Sequence, residues 1–283
     1  MASEPVRAAA DWLALREPAD AAARAPGLVT ELRDVLPTGR ALVIHDLGSG
    51  TGSMARWLAP RLPGPQRWVL HDRDADLLAR VATHPPPRAV DGATVHVEAR
   101  RDDITRLDAD ALQDADVVTA SALLDMMSAA ELDGFVRSCV AADCPILVTL
   151  SVVGRVELAP PHALDGEVTE AFNAHQRRTS DGRTLLGPDA SGAAVRRLTR
   201  LGLDVTVQPS PWRLGPDRSD LAAEWLTGWV AAATVQRPRL TDAAGPYVRQ
   251  RLAQAAAGSL SVTVHHEDLL ARPARLPRCS REA

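Results

Sequence analysis

An acid followed by three glycines at every second position is the stretch of this sequence best suited to chemistry. Asp46 is followed by Gly48, Gly50 and Gly52, after an apolar run that has the length of a strand. Glycines let the backbone approach a ligand closely and adopt positive φ angles without strain. The acid favours a ligand that carries an ammonium group, because a carboxylate beside a pyrophosphate would repel it. The spacing also differs from the G-x-G-x-x-G pattern of dinucleotide-binding folds.

Two further acids stand where predicted strands end. Asp72 closes the segment Trp68-Val-Leu-His-Asp, and Asp103 follows the segment that begins at Val95. Together with the glycine motif, these acids resemble the landmarks of the class I S-adenosylmethionine (SAM)-dependent methyltransferases. The resemblance covers residues 41–152, and three landmarks in the expected order make it specific.

This resemblance implies a site for SAM and for its product S-adenosylhomocysteine. Asp72 is expected to bind the ribose hydroxyls, and Asp103 is expected to lie close to the adenine amino group. The end of the fourth strand is expected to line the methionine and sulfonium part of the cofactor. The predicted cofactor-binding residues are Asp46, Gly48, Ser49, Gly50, Gly52, Asp72, Arg73, Asp103, Ile104, Ser121 and Leu124.

Composition and charge argue against several classes of protein. The chain has 283 residues and a net charge of −4, and its basic residues are scattered arginines, so it lacks the basic patch of a nucleic-acid-binding protein. No apolar stretch is long enough for a membrane span, and no signal peptide is evident. Cys139, Cys144 and Cys279 lack metal-ligand spacing. We therefore expect a cytoplasmic protein without a metal, as a monomer or a homodimer.

Alternating apolar segments predict the elements that position these residues. The pattern indicates strands near 41–47, 67–72, 93–98, 115–120 and 145–152, and helices near 53–61, 74–82, 107–113 and 128–141. Such alternation predicts an α/β, Rossmann-like fold with a mostly parallel sheet and helices on both faces. The resemblance implies seven strands, of which the seventh is antiparallel and forms a hairpin with the sixth.

We expect one methyltransferase domain over residues 1–283, with additions around its core. The predicted parts are a helical cap at 1–40, the SAM-binding core at 41–152, an insertion at 154–186, the rest of the sheet with a helical elaboration at 187–271, and a tail at 272–283. Pro18 and Pro26 should break the cap into short helices. In related enzymes such a segment covers the cofactor, so Trp12 and Arg16 could face the pocket, although an outer helical cap explains the segment equally well.

The end of the fourth strand bears on the methyl acceptor. The sequence from Ser121 to Leu124 is Ser-Ala-Leu-Leu, whereas the family's nucleobase amino-methyltransferases carry Asn/Asp-Pro-Pro-Tyr/Phe there. Serine is also no hard-cation ligand. We therefore expect a small-molecule acceptor with a hydroxyl or an amine, and no nucleic acid. Asp125 is a helix-entry residue that remains a candidate for the pocket.

Histidines on the insertion are the first candidates for a general base. Imidazole titrates near neutral pH, and the insertion leaves the sheet beside the expected methyl group. His175 is the first candidate and His162 the second, although an exposed or structural role remains open for each. His265 and His266 alternate along the last predicted strand, so only one of them should point inward.

Two functions of different classes fit the sequence. The first is an enzyme that transfers a methyl group from SAM to a small molecule, possibly a secondary metabolite. The second is a SAM-binding protein without methyl transfer, either cyclase-like or regulatory, which would show the same cofactor motifs. The glycine spacing disfavours an NAD-dependent oxidoreductase.

Overall fold

The strands of the protein were located in a computed structural model that describes residues 9–107 and 109–274. In chain order they are β1 (Leu42–Leu47), β2 (Gln66–Asp72), β3 (Val95–Arg101), β4 (Val117–Ser121), β5 (Ile146–Ala159), β6 (Thr179–Ser180), β7 (Arg183–Thr184), β8 (Leu203–Pro209), β9 (Trp212–Leu214) and β10 (Ser261–Pro273).

The central sheet has the order β3-β2-β1-β4-β5-β10-β8, and β9 pairs with β10 beside this path. The five strands from β3 to β5 are parallel, and β10 is antiparallel to both β5 and β8. The expected Rossmann-like fold with an antiparallel last strand is therefore confirmed. The sheet has eight strands rather than seven because the short β9 extends the β8–β10 hairpin. The strand order reverses between β1 and β4, which is where such folds bind their ligands.

Nine helices cover the sheet in the described part of the chain. They are α1 (Ala10–Ala23), α2 (Pro26–Arg33), α3 (Ser53–Leu58), α4 (Ala75–Val81), α5 (Ala129–Ala141), α6 (Asp165–Gln176), α7 (Ala190–Arg200), α8 (Ser219–Gln236) and α9 (Thr241–Ala256). One buried cluster joins α2 and α3 to one face of the sheet, and a second joins α5 and α7 to the other face. A third cluster joins α6, α8 and α9 over the far ends of β5 and β10.

The N-terminal cap differs from the expectation at one proline. α1 runs through Pro18, whereas Pro26 begins α2 at its first position, where proline is tolerated. The predicted break at Pro18 is therefore wrong. Tertiary contacts hold the second half of α1, because the buried carboxylate of Asp20 accepts hydrogen bonds from Arg16 (3.0 Å) and from Trp212 (2.9 Å). These contacts offset the backbone hydrogen bond that a proline removes.

The boundaries of several other helices and strands differ from the predicted ones. The segment near 107–113 forms short 3-10 turns at Ile104–Arg106 and Ala109–Leu112 instead of an α-helix. β5 and β10 are longer than predicted and pair from Ser261↔Ala159 to Ala271↔Ile146. The segment 154–186 thus begins within β5 and continues through α6 and the β6–β7 hairpin. Cys279 and most of the predicted tail lie outside the described residues.

Candidate active site

The glycine motif forms a left-handed turn between β1 and α3. Gly48 and Gly52 have φ angles of +70° and +84°. A Cβ atom on Gly48 would also lie 3.0 Å from a methyl carbon of Leu123, which would have to shift, so the positive φ angle and the close contact both favour glycine. The N–H groups of Gly48 and Ser49 donate to the carbonyl oxygen of His71, at 2.8 and 3.0 Å. The turn is therefore fastened to the end of β2.

The carboxylate of Asp46 is buried at the end of β1 and only partly satisfied. Its Oδ1 accepts a hydrogen bond from the Thr119 hydroxyl at 2.8 Å, whereas its Oδ2 has no partner among the described residues. Burial raises the pKa of Asp46 to about 7, and the hydrogen bond from Thr119 and the charge of Arg24 offset part of this rise. A buried carboxylate oxygen without a partner is suited to a cationic ligand.

Arg24 follows α1 and is 2% exposed. Its guanidinium donates to three hydroxyl groups, those of Ser53 (3.2 Å), Ser121 (3.1 Å) and Thr149 (3.3 Å), while its Nη1 has no partner in the described chain. Burial lowers the pKa of Arg24, and the nearby acids Asp20, Asp268 and Asp46 oppose this effect. The site therefore contains a buried cation with a free donor as well as a buried anion with a free acceptor.

The carboxylate of Asp72 is held in place by the backbone. Its Oδ2 accepts the N–H of Gly50 at 2.8 Å, and its Oδ1 accepts the N–H of Asp74 at 2.8 Å. Each oxygen keeps a lone pair for a further donor. Arg73, the next predicted contact, is exposed at the same edge of the sheet, where its carbonyl oxygen accepts from Arg101 at 3.3 Å.

Two adjacent acids follow β3 and have different partners. Asp103 is half-exposed, and its Oδ1 accepts from the N–H and the hydroxyl of Thr105, at 3.1 and 2.7 Å. Asp102 instead contacts the ring of His71 at 2.7 Å. Asp103 therefore remains accessible at the edge where the adenine was expected, and the neighbouring Ile104 is half-buried against the core.

The two residues predicted at the end of β4, Ser121 and Leu124, lie in different environments. Ser121 accepts hydrogen bonds from Arg24 and from Thr149 (3.0 Å), so it lies beside the free Nη1 group. Leu124 is completely buried in the core. Leu123 is the apolar side chain that contacts the glycine turn. The structure thus places Ser121 in the site and gives the apolar contact to Leu123 instead of Leu124.

A cavity of about 190 Å³ adjoins the end of β4. Its walls include four large aromatic side chains, those of Trp12, Phe172, Trp212 and Trp225. Polar groups also line it, namely Arg16, Asp125, Arg155, Asn173, Gln176, His265 and His266. Trp12 and Arg16 line this cavity because α1 is fixed against β9 through Asp20. Their role over the cofactor stays a prediction.

Two titratable groups in the cavity wall are shifted towards their neutral forms. Loss of solvent raises the pKa of Asp125 to about 6. Burial lowers the pKa of His266 to about 3, and its Nδ1 has no hydrogen-bond partner within the described structure. His265 lines the same cavity, although strand alternation predicted that only one of the two would. A register shift in β10 between Val264 and His266 explains the exception.

The two predicted histidines of the insertion do not line this cavity. His175 is half-buried near the end of α6, where burial and the charge of Arg178 lower its pKa. Asn173 and Gln176 of the same helix face the cavity, and the helical period turns His175 away from them.

The ring of His162 makes a hydrogen bond and an aromatic contact at the start of α6. Its Nδ1 accepts the N–H of Leu164 at 3.1 Å, and its ring packs edge-on against Tyr247 at 5.0 Å. His162 therefore supports the insertion instead of facing the cavity.

The comparisons with known proteins agree with this geometry. Residues 44–142 match a family model described as a methyltransferase domain. Residues 44–142 of this chain are thus similar to a methyltransferase domain. Several of the similar solved structures contain SAM or S-adenosylhomocysteine, the cofactor and product expected from the sequence. No curated protein matches the chain.

Solved structures that resemble this chain have low sequence identity to it. The cyclopropane synthase MmaA2 from Mycobacterium tuberculosis is 12% identical, with a TM-score of 0.47 over 87% of this chain and 84% of that one. The YcgJ protein from Bacillus subtilis is 11% identical, with a TM-score of 0.46 over 88% and 99%. A phosphoethanolamine N-methyltransferase from Haemonchus contortus is 14% identical, with a TM-score of 0.42 over 87% and 52%.

The described residues contain neither a potential metal site nor a candidate membrane span. No group of three or more histidine, cysteine or acidic side chains in them could hold a metal ion. None of their helices is both long enough and apolar enough to cross a membrane.

The sequence analysis did not identify Arg24, kept Asp125 only as a candidate for the pocket, and left open which of His265 and His266 points inward. A single arginine after an alanine-rich segment has no distinctive pattern.

We predict that Asp72→Ala weakens SAM binding by roughly 10- to 150-fold, because a hydrogen bond to a charged group contributes about 1.5–3 kcal/mol. Isothermal titration of the folded variant measures the change. Asp76→Ala, an exposed acid in the first turn of α4, is the matched control and should retain wild-type affinity. Equal affinities of the two variants would remove Asp72 from the site.

Proposed function

We propose that this protein transfers a methyl group from SAM to a small molecule bound in the cavity beside β4. The observation that carries the proposal is the pair of buried, unsatisfied charges, Oδ2 of Asp46 and Nη1 of Arg24. The methionine part of SAM carries one ammonium and one carboxylate group. Asp46 would bind the ammonium group and Arg24 the carboxylate group, so each charge would find a partner of opposite sign.

The remaining cofactor groups also have fitting partners. Asp72 has lone pairs left for the ribose hydroxyls, and Asp103 lies at the neighbouring edge. NAD fits less well, because its pyrophosphate would face the buried carboxylate of Asp46. When SAM is bound, it supplies a methyl carbon that is made electrophilic by the sulfonium.

The cavity favours a planar acceptor of the size of one or two rings. Its volume of about 190 Å³ is comparable to that of cavities that accommodate benzene, roughly 150 Å³. Four aromatic side chains can pack against the faces and edges of such a ring. The charge of Arg16 is already matched by Asp20, so it does not require an anionic acceptor. A small molecule with a hydroxyl or an amine fits this pocket better than a nucleic acid.

Asp125 is the best-suited proton acceptor in the cavity. A general base works best when its pKa lies near the working pH, and the pKa of Asp125 is about 6. His266, with a pKa of about 3, is too weak a base, but its unpartnered Nδ1 can form a hydrogen bond that orients the acceptor. The Asp125 carboxylate would take the proton that the acceptor hydroxyl or amine gives up when it is methylated.

Two measurements test the proposed function. Isothermal titration should show binding of SAM and S-adenosylhomocysteine, and no binding of NAD at the same concentrations. Incubation with SAM labelled at its methyl group and a panel of phenols, hydroxyindoles and aromatic amines should label at least one acceptor. Binding of SAM without any labelled product from the panel or from small-molecule extracts would favour the SAM-binding protein without methyl transfer. Binding of NAD instead of SAM would refute the proposal.

The raised pKa of Asp46 predicts that SAM affinity depends on pH. The free protein keeps Asp46 protonated below about pH 7, whereas the ammonium group requires the carboxylate. Affinity should therefore rise by up to about tenfold per pH unit from pH 5 to 7, and the contribution of Asp46 should then level off. Asp46→Asn should bind SAM more weakly at pH 7 and lose this dependence. A wild-type affinity that is flat over this range would contradict the role of Asp46.

The same shift predicts the sign of a stability change. The pKa of Asp46 is higher in the folded protein than its ordinary value of 3.8, so the folded state binds the proton more tightly than the unfolded state. The contribution of Asp46 to the free energy of unfolding should therefore fall as the pH rises from about 4 to about 7. Asp46→Asn should weaken this dependence in thermal unfolding.

We predict that Asp125→Asn lowers turnover by about a hundredfold while SAM affinity stays unchanged, because only proton transfer is lost. The wild-type rate should fall below about pH 6, and this fall should be absent from the residual rate of the variant. His175→Gln, outside the cavity wall, is the matched variant and should keep wild-type turnover. A large loss in His175→Gln with a small loss in Asp125→Asn would instead support the histidine expected from the sequence.

A further inference from the structure

Four side chains form a continuous hydrogen-bonded chain behind the cofactor edge of the sheet. His45 Nε2 lies 3.0 Å from Asp114 Oδ1, His45 Nδ1 lies 2.9 Å from His71 Nε2, and His71 Nδ1 lies 2.7 Å from Asp102 Oδ2. Both imidazole rings are completely buried and stacked at 5.1 Å, whereas the two acids reach solvent. All four ring nitrogens thus have their partners within the chain.

The number of protons in this chain follows from its geometry. Ionised carboxylates only accept hydrogen bonds, so the ring nitrogens that face Asp102 and Asp114 must each carry a proton. The contact between the two rings needs a third proton, because two lone pairs at 2.9 Å would repel each other. Two neutral imidazoles carry only two protons. All three contacts are therefore satisfied only when the two rings together carry a third proton.

The surrounding charges favour this additional proton. Arg67 bonds to Asp114 and lies 3.4 Å from Glu98, and Arg100 bonds to Glu98 at 2.8 Å. Three carboxylates (Asp102, Asp114 and Glu98) and two guanidinium groups (Arg67 and Arg100) surround the rings, so one negative charge is left over. The additional proton neutralises this charge. Burial acts in the opposite direction and lowers the pKa of each ring, that of His45 to about 4. The two acids of the chain act against this lowering, since a buried charge is retained when it is paired.

We propose that His45 and His71 share this additional proton, and that it holds together the strand ends that carry the cofactor site. His45 directly precedes Asp46, and His71 directly precedes Asp72. The carbonyl oxygen of His71 accepts both N–H groups that fasten the glycine turn, and the N–H of Asp102 donates to the carbonyl oxygen of Asp72 at 3.0 Å. Loss of the proton would place two lone pairs against each other directly behind this turn. His45 and His71 are thus positioning residues.

Nuclear magnetic resonance of the wild-type protein with ¹⁵N-labelled histidine tests the proton count without any cofactor. At about pH 6.5, the ordinary pKa of imidazole, three of the four ring nitrogens of His45 and His71 should be protonated. Two protonated nitrogens at this pH would overturn the proposal. His45→Gln and His71→Gln serve only to assign the signals.

Asp114→Asn provides a variant in which the additional proton is unnecessary. The asparagine amide can donate to His45 Nε2 while its oxygen accepts from Arg67, so two neutral rings complete the chain. Two protonated ring nitrogens are expected in this variant, and three would count against the proposal. Asp133→Asn is the matched control and should retain three protonated ring nitrogens. It replaces a similarly half-exposed acid on α5, which is paired with Arg197.

The consequence for the cofactor rests on the proposed function. Ionisation of Asp46 raises SAM affinity equally in all three proteins as the pH rises from about 6.5 to 9. Relative to Asp114→Asn, the SAM affinity of the wild type and of Asp133→Asn should fall by about threefold or more over this range. Equal pH dependence in all three proteins would refute the positioning role. Failure of all three to bind SAM would refute the proposed function instead, while the proton count would still decide whether the chain holds its proton.

Discussion

The burial of one positive charge joins the parts of this protein that form its active site. Arg24 lies at the end of the N-terminal cap, and its guanidinium is bonded to hydroxyl groups of α3, β4 and β5. It also lies over the ring of Trp57, 5.4 Å from the centroid. A guanidinium withdrawn from water is tolerated only where such partners are fixed in place. The cap, the glycine turn and the ends of two strands therefore have to meet around this side chain.

The site separates charges that water would otherwise screen. Desolvation shifts Asp46 and Asp125 in the same direction, but the two acids occupy different halves of the site. Asp46 stands between the buried Arg24 and the glycine turn, whereas Asp125 faces an aromatic cavity. Two carboxylates with similar shifts can therefore serve different tasks, one in binding and one in accepting a proton.

The glycine turn and the strand ends of the proposed cofactor half follow from local patterns in the sequence. The acid and the glycines lie within a few residues of each other, and Asp72 ends a strand that its apolar run predicts. The sheet order followed from the alternation of elements and from the resemblance. These features need no information about distant parts of the chain.

The proposed acceptor half is built from tertiary contacts, which the sequence does not reveal. His265 and His266 both line the cavity owing to a register shift in β10, which strand alternation does not predict. α1 passes through Pro18 because Asp20 is bonded to Trp212, a residue far away in the sequence. Arg24 gave no local signal. The direction of the His175 ring depended on which face of α6 packs against the sheet, and this was open from the sequence alone.

The long ladder between β5 and β10 has a consequence for how such a protein can change. These strands run past the edge that would bind the cofactor, and α6, α8 and α9 pack on their far ends as a separate layer. Most of the cavity wall comes from this layer, from the ladder and from α1, whereas the glycine turn and Asp72 belong to the other half of the sheet. Substitutions in the wall, such as those at Phe172 or Trp225, leave the nucleoside contacts in place. Acceptor preference in this fold can therefore diversify, or be redesigned, while the methyl-donor half is inherited unchanged.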